Sequence, residues 1–82
     1  MADVKIGMVT HYYDRIGVGI VKLNAPLHVG DTIKVLGKNG EFTQKVESMQ
    51  LEHQIIESAK RGGEVGIKFD QKVREKDGVF KV

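Results

Sequence analysis

No stretch of this chain repeats apolar residues at helical spacing for more than about two turns. Instead, ten glycines and a single proline punctuate apolar runs only a few residues long. That pattern prescribes short strands joined by turns. The best helical candidate, residues 55–61, is too short to organise a core. At 82 residues the chain forms one domain, residues 1–82. A domain of this size buries only about 60–65% of its unfolded surface, so its small core must be used efficiently. A sheet closed on itself does this and leaves no strand edge to cover. The expected fold is therefore all-β, a small closed six-stranded Greek-key barrel.

The six strands follow from the local pattern. The first spans 5–12, with Ile6, Met8 and Thr10 on one face and Val9 on the other. Asp14-Arg15 begins a turn into a second strand over 17–23, where Gly17, Gly19, Val21 and Leu23 alternate with Val18, Ile20 and Lys22. Glycines inside a strand mark bending or close backbone approach. Asn24-Ala25-Pro26-Leu27 leaves the sheet, because proline has no N–H for the ladder. His28-Val29-Gly30-Asp31 then turns into a third strand over 32–38.

Asn39-Gly40 is the strongest local signal, since both central positions of a type I′ turn need positive φ. A two-residue turn there opposes Lys38 to Glu41, Val35 to Gln44 and Ile33 to Val46, and sets Lys34 against Lys45 on the other face. The fourth strand begins with Phe42 and Val46 at even spacing and changes phase at Met49 and Leu51. A bulge near Glu47-Ser48 reconciles the two phases and bends the strand so that it can close the barrel. Arg61-Gly62-Gly63 turns into a fifth strand over 64–69, with Val65, Ile67 and Phe69 inward. Asp77-Gly78 turns into the last, over 79–82.

Several functions are excluded by what the sequence lacks. Without cysteine there is no disulfide scaffold, thiolate zinc site or cysteine nucleophile. His11, His28 and His53 are widely spaced, and His53 with Glu57 lacks the second histidine of a zincin helix, so no metal site is expected. Ser48 and Ser58 are not flanked by the glycines of a nucleophile elbow. A small barrel filled by its own side chains leaves little concave room for catalysis. We therefore expect no catalytic residues, no cofactor and no enzyme activity. Met1-Ala2-Asp3-Val4 opens without a basic region and apolar core of a signal peptide. The apolar runs fall far short of a membrane span. The expectation is a soluble cytoplasmic domain with no membrane partner.

Four blocks recur in an order and spacing that resemble a known family. They are Ile6-Gly7-Met8-Val9 followed by Gly17-Val18-Gly19-Ile20-Val21; Leu27-His28-Val29-Gly30-Asp31-Thr32-Ile33; Lys45-Val46-Glu47-Ser48-Met49-Gln50; and Ala59-Lys60-Arg61-Gly62-Gly63-Glu64-Val65-Gly66-Ile67. Together they resemble the second, β-barrel domain of translational GTPases such as the elongation factor that delivers aminoacyl-tRNA. Residues 9–13 and 43–50 look closest to small stand-alone translation elongation factor-like proteins. The end, Val73-Arg74-Glu75-Lys76-Asp77-Gly78-Val79, is similar too, although here glycine follows the aspartate of the final turn. Similar barrels also end some proteins of a collagenase-like peptidase family, where the barrel is appended and does not carry the peptidase chemistry. No G-x-x-x-x-G-K-[ST] loop is present; Gly37-Lys38-Asn39-Gly40 has neither its spacing nor a following helix, so nucleotide hydrolysis is not implied.

The resemblance and a net charge of +2 make RNA or a ribonucleoprotein the leading expected partner. His11-Tyr12-Tyr13 with Arg15 offers aromatic faces for unpaired bases. The competing reading packs one tyrosine inside and leaves the other on the rim. Lys34, Lys38 and Lys45 share the outer face of the Asn-Gly hairpin, and Lys60 and Arg61 mark another turn, all suited to phosphates. The competing reading is a solvated face, weakened in charge by Glu41 and Glu47. The alternative function is a protein–protein interaction module acting beside an enzyme such as a collagenase-like peptidase family protein.

Overall fold

A computed structural model describes residues 4–38, 40–52 and 54–82. Among them there is no helix, and so none long and apolar enough to cross a membrane. The strands are β1 (Val4–Tyr13), β2 (Val18–Leu23), β3 (Leu27–His28), β4 (Thr32–Gly37), β5 (Gly40–Lys45), β6 (Met49–Leu51), β7 (Gln54–Ile56), β8 (Ser58–Ala59), β9 (Glu64–Lys68) and β10 (Gly78–Lys81). Eight of them form one antiparallel sheet in the order β5-β4-β10-β1-β2-β9-β6-β7, while β3 and β8 pair separately. The all-β expectation holds. Residues 55–61, the best helical candidate, contribute instead to β7 and β8.

The sheet curls around Ile6, Val9, Val21, Leu23, Ile33, Val35, Met49, Val65, Ile67 and Val79, all buried. Leu27 from β3 and Val46 complete the filling. Yet the expected closed six-stranded barrel must be corrected to an open sheet, whose terminal strands β5 and β7 do not pair. The reason lies at residues 46–48, which leave the ladder between β5 and β6. There the Val46 backbone turns to the 28–31 turn: Gly30 N–H donates to Val46 O at 2.8 Å, and Val46 N–H donates to Asp31 O at 2.9 Å. Across the gap a side chain stands in for a rung. Buried Gln44 donates through Nε2 to Lys68 O at 3.0 Å, and its Oε1 accepts from Asp70 N–H at 2.7 Å.

Two local expectations also change. In β1 the register slips against β10 between Lys5 and Gly7, and against β2 between Val9 and His11. Each slip inserts one extra residue, a bulge that resets the side-chain phase. Ile6 and Val9 therefore both point inward, an odd spacing that a regular strand forbids. Met8, expected beside Ile6, is exposed instead.

The β4–β5 hairpin pairs Gly37 with Gly40, Val35 with Phe42, Ile33 with Gln44 and Lys34 with Thr43. The Gly37–Gly40 pair thus closes the hairpin one residue earlier than the expected Asn39-Gly40 turn; Asn39 itself lies outside the described residues. Gly40, at φ 118°, opens β5 in a conformation that favours glycine. This register puts Phe42 at the side of Val35, edge-on to Phe69 with ring centroids 6.5 Å apart at 87°. It also leaves Val46 beyond the hairpin, where it seals the core.

Candidate functional site

One outer face of the sheet breaks the rule that a solvated face is polar. Cross-strand pairing lines up Tyr13, Val18 and Lys68 in one row, and His11, Ile20, Gly66, Gln50 and Ile55 in the next. Ile16 adds to the end of these rows from the β1–β2 turn, where Ile16 N–H and Gly17 N–H both donate to Tyr13 O. Ile16 is 62% exposed and Ile55 78%. The result is a shallow trough lined by Tyr13, Ile16, Val18, Ile20 and Gly66 and bordered by Gln50, Glu52 and Glu64. Gly66 forms its floor. A Cβ there would stand 3.2 Å from Val18 Cγ1 and 3.7 Å from Ile20 Cδ1, partly filling the trough. Thr10 steadies one side, its hydroxyl donating to Ile20 O at 3.3 Å and lying 3.5 Å from Glu64 Oε2.

The sequence-derived candidates divide among separate regions. At the trough's end, the His11 and Tyr13 rings meet edge-on with centroids 4.4 Å apart, and His11 Nδ1 lies 3.7 Å from Glu75 Oε2. Tyr12 packs against the core while Tyr13 is exposed, as alternation along a strand demands. Arg15 is exposed in the adjoining turn. Lys34 pairs with Glu41 at 3.3 Å and opposes Thr43, not Lys45. Lys38 sits at the hairpin tip, whereas Lys45 pairs with Thr32 at the other end of β5. The expected cluster of three hairpin lysines is therefore spread along the strand. Lys60 and Arg61 occupy a turn held to Leu23, at the end of β2 remote from Tyr13 and about 17 Å of strand away.

Other groupings emerge only in three dimensions. Lys38 borders a cleft with Arg74, Glu75, Lys76 and Asp77, and Lys72 lies in an adjoining one; the signs alternate, so no single-sign patch results. His28 and Ser58 face each other across the β3–β8 bridge, and His28 Nδ1 is 3.8 Å from Asp31 Oδ2. That separation exceeds a hydrogen bond, and the same Oδ2 accepts from His28 N–H at 2.9 Å and sits 3.4 Å from Lys81 Nζ. Among the described residues no three metal-ligating side chains gather; His53 lies outside them.

Of the residues that make the trough, only Tyr13 was in the sequence-derived set. A signal for them exists: over 18–23 apolar residues occupy both alternating faces, since Val18 and Ile20 oppose Val21 and Leu23. A strand apolar on both sides is covered on both sides. The contributions of Gly66 and Ile55, far along the chain, carry no such local mark.

Comparison with known proteins gives a consistent result. The chain is 40% identical over 78 residues to an uncharacterized protease of Methanocaldococcus jannaschii, covering 94% of this chain and 19% of that protein. It is 32% identical over 80 residues to a collagenase of Porphyromonas gingivalis, covering 95% of this chain and 19% of the collagenase. The chain thus spans about a fifth of the length of the curated relatives it matches. Among solved structures, it superimposes on the C-terminal domain of a Geobacillus thermoleovorans protein assigned as a U32 peptidase. There the TM-score is 0.90 at 21% identity, covering 96% of this chain and 92% of that domain. A selenomethionine form of the same domain gives 0.89 at 21% identity, covering 94% and 98%. No protein-family model matches the chain. These findings overturn the resemblance to a translation elongation factor-like protein: the named relatives are peptidases and the structural neighbours are a U32 peptidase C-terminal domain. The expectation of RNA binding, which rested on that resemblance, is withdrawn with it.

Proposed function

We propose that this chain is an accessory domain of the U32 peptidase kind, which docks beside a peptidase body and does not itself perform the chemistry. The observation that carries this is the match of nearly the whole chain to only a fifth of two peptidase-named proteins, at 40% and 32% identity. A separate domain of the same fold, from a protein assigned as a U32 peptidase, supports a unit that folds by itself. The protein partner expected as the alternative now takes first place. In the non-catalytic role, exposed His11 with Glu75 and His28 with half-buried Asp31 act as surface pairs rather than as parts of a hydrolytic site.

Incubation of the isolated chain with denatured collagen tests the non-catalytic part directly. Electrophoresis is expected to show no cleavage over the time in which the Porphyromonas gingivalis collagenase digests the same substrate. Cleavage by the isolated chain that disappears in Ser58→Ala or His28→Ala would overturn the proposal and move the chemistry into this domain.

A further inference from the structure

Resting on the accessory reading, we infer that the trough across β1, β2, β9, β6 and β7 is the surface that seats against the peptidase body, and that the body offers it an apolar ridge flanked by basic side chains. Five apolar or glycine positions from four strands fall in the two rows: Tyr13 of β1, Val18 and Ile20 of β2, Gly66 of β9 and Ile55 of β7. Tyr13, Ile16 and Ile55 are exposed there and Val18 and Ile20 half-buried, and apolar side chains gathered so on one sheet face mark an interaction surface. Gly66 leaves the groove that a ridge requires, with Val18 and Ile20 beside it.

Charge and size select the occupant. The charged residues lining the trough are Glu52 and Glu64, both acidic, in a chain of net charge +2. Lys68 stands beyond this lining at the end of the Tyr13–Val18 row, and a second copy seated with its Glu52–Glu64 border against this one would be opposed by like charge. A polyanion meets the same repulsion. A protein surface of complementary sign does not. About four-fifths of each relative's length lies outside the part this chain matches, ample for a separate body. Contacts between domains of one protein bury about 600–1,500 Å², so the seat extends beyond the trough to its neighbours in the same rows, Ile55 among them.

The test titrates this chain against the Methanocaldococcus jannaschii protease from which the matching 78 residues have been removed, with binding followed calorimetrically. Saturable one-to-one binding is expected. Ile55→Asp and Ile16→Asp, at well-exposed positions where folding is undisturbed, are expected to weaken it at least about tenfold. Glu64→Lys is expected to weaken it and to reverse its salt dependence, whereas Lys45→Ala and Lys60→Ala leave it unchanged. Binding that all the trough variants retain would overturn the docking face while leaving the accessory role standing. No binding by the unaltered chain would overturn both. A homodimer in sedimentation that Ile55→Asp dissociates would hand the face to a second copy of the chain.

Discussion

Gly19 is one of the positions where the packing of this small domain is sharply constrained. Its position on β2 faces inward, and a Cβ built there would lie 2.6 Å from Phe69 Cε2, 3.0 Å from Phe69 Cδ2 and 3.3 Å from Val73 Cγ2. Phe69 also packs at a steep angle to Phe42, with ring centroids 6.5 Å apart, so displacing it disturbs a second contact. Gly19→Ala is accordingly expected to cost about 1–3 kcal/mol by overpacking. A urea titration should show a lowered midpoint with an unchanged slope; an unchanged midpoint would mean that the ring has room to move. The sequence alone marks Gly17 and Gly19 as sites of bending or close approach. It does not name Phe69 as the neighbour, because that contact bridges fifty residues of chain. Tyr12 and Tyr13 show the converse, since alternation along one strand is enough to send one inward and the other out.

At the scale of elements, glycine and phase signals locate the breaks well and the registers less well. The change of phase between Val46 and Met49 marks the point where β5 ends and β6 begins, because burial of both residues requires the chain to leave a regular strand there. The Asn-Gly signal finds the β4–β5 hairpin but places its connection one residue late. Turn preference is worth little against the packing of Phe42 beside Val35 and Phe69, which sets the actual register. Nuclear Overhauser spectra should therefore connect the backbones of Val35 and Phe42, and of Ile33 and Gln44. Cross-peaks linking Val35 to Gln44 would restore the register expected from the turn. The two bulges of β1 left no readable trace, since Ile6, Met8 and Val9 are all apolar and either phase fits the pattern.

For the molecule as a whole, the decisive feature is a sheet that curls without closing. Gln44 joins β5 to the segment after β9, so its loss should loosen that seam more than the β1–β2–β9 centre. Gln44→Leu keeps much of the volume and removes the bonds to Lys68 and Asp70, along with a longer one from Nε2 to Lys45 O, at an expected cost of about 1–2 kcal/mol. Hydrogen exchange should quicken at β5 and Asp70 while the amides of β2 remain protected; uniform acceleration would show that the seam and centre open together. By itself the sequence determined a single all-β domain, most strand positions and the turns, because alternation, glycine and proline act over a few residues. Only the tertiary structure decided that the edges stay unpaired and that Tyr13, Ile20, Gly66 and Ile55 share one face. Those outcomes depend on strand order and on register between distant segments, which are fixed by burying side chains from the whole chain together.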